Sequence, residues 1–132
     1  MMKPPPDAEV LDLLTATLWL DKENDFIYAV SKKEPVRTPE TLKKTLEGGK
    51  KLVGDKKICL LLDITHVSEI TREGREYLAK EFPKHFKAIA MISRSTFGKV
   101  VANLFLTIKP QPYPTKVFTD EKEAKKWLKE YL

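Results

Sequence analysis

Residues 60 to 74 read LLLDITHVSEITREG, an apolar run that ends by crowding Asp63, Thr65, His66, Ser68, Thr71, Arg72 and Glu73 into one junction. Those types could make a hydrolytic group: His66 would take a proton from Ser68 or Thr71 while Asp63 orients the imidazole. Residues two apart on a loop rarely reach that geometry, and no glycine-bracketed nucleophile elbow surrounds either hydroxyl. The same short polar side chains, Asp63, Thr65, Ser68 and Thr71, are the ones that satisfy backbone groups where a strand turns into a helix. The expectation is a structural corner in a protein that is not an enzyme. The other histidine, His85, has no cysteine or cluster of carboxylates near it, so neither a metal site nor a cofactor is expected.

The elements that would hold this junction follow from patterning. LLTATLWLD (13 to 21) and DFIYAVS (25 to 31) are rich in β-branched and aromatic residues and meet at the polar KEND, a β-hairpin. Thr38 then caps a helix with Pro39 at its first position, where the missing N–H costs nothing. Leu42, Leu46, Gly49 and Val53 share one face of that helix, which ends near Gly54. Gly48 and Gly49 inside it cost about 1 kcal/mol each relative to Ala, which points to close approach of a neighbouring element. They do not form the phosphate-binding glycine pattern, which needs a preceding strand and a following Lys-Ser or Lys-Thr.

KICLLLDI (57 to 64) is continuously apolar, as in a strand covered on both faces. Thr71 caps the next helix, with Glu73 in its first turn, Gly74, Tyr77, Leu78 and Phe82 on its buried side, and Pro83 expected to stop it. FKAIAMIS (86 to 93) is a strand and RSTFGKVVANLFLTI (94 to 108) a helix with Phe97, Val100, Val101, Leu104 and Ile108 inward. A short strand over 116 to 119 precedes a last helix, with Asp120 and Glu123 as a capping box and Ala124, Trp127, Leu128 and Tyr131 inward. The order ββαβαβαβα predicts an α/β fold: a mixed, mostly parallel five-stranded sheet with four helices and an antiparallel hairpin at one side. Residues 1–12, with Pro4, Pro5 and Pro6, are expected to be a mobile tail, and 13–132 a single domain.

Composition narrows the function classes. The chain has 132 residues, 42% hydrophobic and 33% charged, with a net charge of +5. A nucleic-acid reader would concentrate arginine and exposed aromatics in one patch. Here only Arg37, Arg72, Arg75 and Arg94 are arginine among 24 basic residues, and most lysines neighbour acids, so no nucleic acid is expected as partner. The single cysteine, Cys59, lies within the apolar run and reads as a small buried hydrophobe of a reducing compartment. No stretch approaches the ~18 apolar residues of a membrane span, and the start lacks the apolar core of a signal peptide, which together point to a cytoplasmic protein.

The run of LLLDITHV into SEITREGREYL resembles the STAS domain, the SpoIIAA-like fold of anti-sigma-factor antagonists. AIAMISRSTFGKVVANLFLTIKPQPYPTKVFTDEKEAKKWL is similar to a bacterial family of uncharacterised STAS/SEC14-like domains, with its Lys-Pro-x-x-Pro-Thr loop and Phe-Thr-Asp-Glu…Ala…Trp-Leu helix. The resemblance covers roughly residues 13 to 132 and implies the SpoIIAA-like fold. In the antagonist branch an Asp-Ser-Ser-Gly motif opens a helix with a phosphorylatable serine. Here Gly74 matches, Thr71 stands for the Asp, and Arg72 and Glu73 replace both serines, so that phosphorylation switch does not carry over.

The helix 94–108 also bears Phe105 and Leu106, more apolar surface than one buried stripe requires. The loop 109–114 with Tyr113, a second copy in a homodimer, or an apolar ligand could cover it. The leading expectation is a non-enzymatic protein-interaction or regulatory module. Its unidentified protein partner would meet the surface of Thr71, Arg72, Glu73, Arg75 and Arg94, the arginines being available to an acidic group. The alternative is a binding protein for a small apolar or lipid-like ligand, held by Phe97, Val101, Phe105 and Tyr113.

Overall fold

A computed structural model of the chain describes residues 3–67, 69–95 and 113–132. Its centre is one sheet of six strands in the order of the chain. β1 (Val10–Asp12), β2 (Ala16–Asp21) and β3 (Phe26–Ser31) pair antiparallel, and β4 (Ile58–Asp63), β5 (Phe86–Ile92) and β6 (Thr115–Phe118) extend the sheet in parallel from β3. Helix α1 (Pro39–Val53) links β3 to β4, and α2 (Arg72–His85) links β4 to β5. Helix α3 (Glu121–Leu128) follows β6 and runs into a 3-10 turn, Lys129–Tyr131.

Two expectations are corrected. The sheet has six strands rather than five, because Val10–Asp12, assigned above to the mobile tail, pairs with β2 at Leu11↔Leu18. Three residues are too few to carry an alternating pattern, while the edge N–H and C=O groups of β2 favour any strand that can pair with them. Pro83 does not stop α2: the helix continues to His85, and the Phe86 N–H still bonds the Phe82 carbonyl. A proline this close to the end removes one helical hydrogen bond from the final turn, which frays in any case. Three α-helices are found among the described residues, against four expected, and the fourth, 94–108, lies outside them.

The local chemistry explains the elements. Asp21 closes the β2–β3 hairpin by accepting the Glu23 and Asn24 backbone N–H groups on one oxygen, each at 3.0 Å, and the Asn24 amide on the other. At α1, Thr38 accepts the Thr41 N–H and Thr41 reciprocates toward the Thr38 N–H, a capping box one residue ahead of the proline. The costly glycines have their reason: a β-carbon on Gly48 would come within 2.6 Å of the Leu13 side chain, and one on Gly49 within 3.2 Å of Leu18.

Alternate residues of the central strands feed two cores. Ile27, Ile58, Leu60 and Ile89 pack with Leu46 and Val53 of α1 and with Leu78 and Phe82 of α2. Phe26, Cys59, Leu61 and Ala90 pack on the other face with Ala124 and Leu128 of α3. A sheet covered on both sides accounts for the unbroken apolar run of β4. No helix among the described residues is long and apolar enough to cross a membrane.

Candidate ligand-binding cleft

The junction after β4 is built to hold backbone. Asp63, 2% exposed at the end of the strand, accepts the Thr65 N–H at 2.9 Å on one oxygen and the Arg94 guanidinium at 3.0 Å on the other. Thr65 in turn accepts the Arg94 backbone N–H at 3.2 Å. His66 is exposed. Thr71 caps α2 by accepting the Gly74 N–H at 2.9 Å and donates its hydroxyl proton to the Arg37 carbonyl at 3.2 Å. The chain around Arg37 thus runs beside the start of α2: the Arg37 N–H bonds the Glu69 carbonyl at 3.0 Å and the Thr71 N–H bonds the Arg37 carbonyl at 2.9 Å.

Arg37 is also the most unusual side chain of this end. It is 4% exposed, and its guanidinium donates to four backbone carbonyls, those of Thr15, Lys32, Lys33 and Pro35. No carboxylate lies within ion-pair distance of it among the described residues. Burial works against its charge and pulls its pKa below the ordinary value, with the Glu34 carboxylate opposing. A guanidinium nevertheless keeps its proton in a protein, so the loop from β3 to α1 is closed around a buried cation.

Under Arg37 opens a cleft of about 370 Å³ between the sheet and the inner faces of α1 and α2. Its walls are apolar: Leu46 and Val53 from α1, Leu78 and Phe82 from α2, and Ala29 and Leu60 from the sheet. Thr15, Ser31, Arg37, Thr45, Glu69 and Arg75 line the end where β3 and β4 finish and the helices begin. The Thr15 and Thr45 hydroxyls bond each other at 2.6 Å and fix the β2 side of this end to α1. Lys50, Lys56 and His85 line the opposite end.

The structure separates the residues read from sequence. Thr71, Arg72, Glu73 and Arg75 do share the first turn of α2, where Arg72 pairs with Glu76 at 3.3 Å and Arg75 reaches the Ile70 carbonyl at 3.4 Å. Of these, Arg75 also faces the cleft. Arg94, half-exposed, is tied to Asp63. Phe97, Val101 and Phe105 lie outside the described residues. Tyr113 is buried in the core on the α1–α2 face, its hydroxyl without a hydrogen-bond partner among the described residues, and does not line the cleft.

Sequence reasoning missed both the cleft and Arg37. The cleft walls gave the same apolar stripes that a filled core gives. A lone arginine between Pro35 and the Thr38 cap gave no sign that its charge would be buried.

A family model described as a domain of unknown function, DUF7793, matches residues 18–132. No curated protein matches the sequence. Among solved structures, an uncharacterised protein of the DUF3478 family with a SpoIIAA-like fold, from Shewanella loihica PV-4, superposes with a TM-score of 0.62. It is 17% identical, with 96% of this chain and 99% of that one covered. A protein of unknown function from Arthrobacter sp. FB24 is 25% identical over 91% of this chain and 96% of its own, with a TM-score of 0.29. The SpoIIAA-like fold anticipated from the sequence is therefore the fold of this chain.

Proposed function

We propose, from the premise that the chain belongs to the DUF7793 family, that it is a non-enzymatic binding domain that takes up a small, largely apolar molecule between its sheet and the helices α1 and α2. The observation that carries this reading is the cleft itself. Its volume of about 370 Å³ falls within the roughly 300–1,000 Å³ typical of small-molecule sites, and it joins apolar walls to a few polar groups at its ends. Transfer of an apolar ligand from water into such walls is favourable by about 25 cal/mol per Å² buried. The sequence offered an apolar ligand on the helix 94–108; the cleft lies instead against α1 and α2. The non-enzymatic reading is supported by the junction, where the Asp63 carboxylate and the Thr71 hydroxyl both serve neighbouring groups.

The test is titration with a neutral naphthylamine fluorophore that brightens in apolar surroundings. Wild-type protein should bind it saturably. Ala29→Leu, which places a larger side chain on the cleft floor, should weaken binding by at least about tenfold. Saturable binding that ignores the substitution would place the probe elsewhere and remove the support for this reading.

A second reading is favoured by one feature, the exposure of Arg72, Glu73 and Arg75 together on the first turn of α2. A protein partner with an acidic segment could engage the two arginines there, making the domain an interaction module. Charge reversal at Arg72, which does not line the cleft, that leaves probe binding intact but abolishes a captured partner would support it.

A further inference from the structure

We infer that the occupant of the cleft is a single-chain carboxylate amphiphile whose head group lies at the Arg37 and Arg75 end and whose tail runs toward Phe82. The inference rests on the cleft being a ligand site and adds the chemical class of the ligand. Charge is the first argument. Among the described residues, the cleft is lined by Arg37, Arg75, Lys50 and Lys56 against one carboxylate, Glu69.

The two ends differ in what their cations already do. At the lower end Lys50 pairs with Asp55 at 3.3 Å and Lys56 with Asp25 at 2.7 Å. Helices α1 and α2 also finish there, and a helix C-terminus carries partial negative charge, which disfavours an anion. At the upper end Arg37 is buried, its guanidinium donates only to neutral carbonyls, and among the described residues no carboxylate is within ion-pair distance of it, although the Glu34 carboxylate acts on it through space. Arg75 is exposed, and its bond to the Ile70 carbonyl is long. Both helices start at this end and the parallel strands finish there, the side on which open α/β sheets receive ligands.

Size is the second argument. A volume of about 370 Å³ lies at the small end of ligand sites and suits one hydrocarbon chain better than a two-chain lipid. Glu69 is the opposing feature, because its carboxylate repels an anionic head group at the mouth. It also supplies a signed test.

The experiment is calorimetric titration of the full chain with decanoate and with decanol, both below their aggregation limits. Wild-type protein should bind decanoate about tenfold more tightly than decanol, as a charge-assisted hydrogen bond at a partly exposed site provides. Arg75→Gln should erase that ratio by weakening decanoate far more than decanol, and Glu69→Gln should widen it severalfold. Both residues are exposed, so the variants should keep the wild-type circular dichroism spectrum. Equal binding of acid and alcohol by the wild-type chain, or a ratio untouched by Arg75→Gln, would overturn the carboxylate inference while the cleft stands. Binding of neither compound would overturn the cleft reading itself.

Discussion

A β-carbon built on Gly74 would lie 2.5 Å from the Arg37 carbonyl oxygen. That oxygen already receives the Thr71 N–H and hydroxyl, so it cannot withdraw without releasing the start of α2. Gly74→Ala should therefore destabilise the fold by about 2–3 kcal/mol, the upper range for forcing atoms into filled space. Chemical denaturation should show the change as a lower midpoint with the slope unchanged.

Arg37 predicts a second loss. A guanidinium spreads donors over a planar fork, whereas a lysine ammonium offers three from one point. Four carbonyls at separate places along the loop match the first and not the second. Arg37→Lys should cost about 2 kcal/mol and Arg37→Met about 3–5 kcal/mol, measured by the same denaturation experiment.

The β2–β3 turn should weaken in acid. Partial burial pushes the Asp21 carboxyl up, but the bonds from Asn24, Glu23 and Tyr28 together outweigh it and hold the pKa below the ordinary value. A depressed carboxylate contributes stability that is present above its unfolded pKa, about 3.9, and lost as the pH falls through the lower folded value. The wild-type melting temperature should drop from about pH 4 downward, and Asp21→Asn should show a smaller drop over the same interval.

Tyr113 makes the opposite kind of prediction. Among the described residues its hydroxyl is buried without a hydrogen bond of good geometry, and burial raises its pKa far above that of a free phenol, with the neighbouring Thr115 side chain opposing. Removing an unsatisfied buried hydroxyl relieves a desolvation cost. Tyr113→Phe should leave stability unchanged or raise it by up to about 1 kcal/mol, and a clear loss would show that the hydroxyl has a partner.

The fold was legible where chemistry is local. Thr38, Pro39 and Thr71 announce helix starts by their own side chains, and Gly48 and Gly49 announce close packing by their cost within a helix. Val10–Asp12 was hidden because its reason for being a strand lies in β2, not in its own three residues. Pro83 misled because its effect depends on how near the helix end already was. The cleft was illegible for a more general reason. Apolar periodicity records which face turns inward, not whether the facing surfaces meet, so Leu46, Leu78 and Phe82 read alike in a filled core and in a cleft wall. The exposed charge of Arg75 is legible in the sequence, and only the fold places it on the lining of the cavity that Arg37 also lines.

The most direct test of the cleft is native mass spectrometry of the chain with added decanol, compared for wild type and Ala29→Leu. The account predicts a one-to-one complex with the wild-type chain that is lost on denaturation and sharply reduced in the variant. A wild-type chain that remains unliganded while decanol is in excess, or a complex equally abundant in Ala29→Leu, would contradict it.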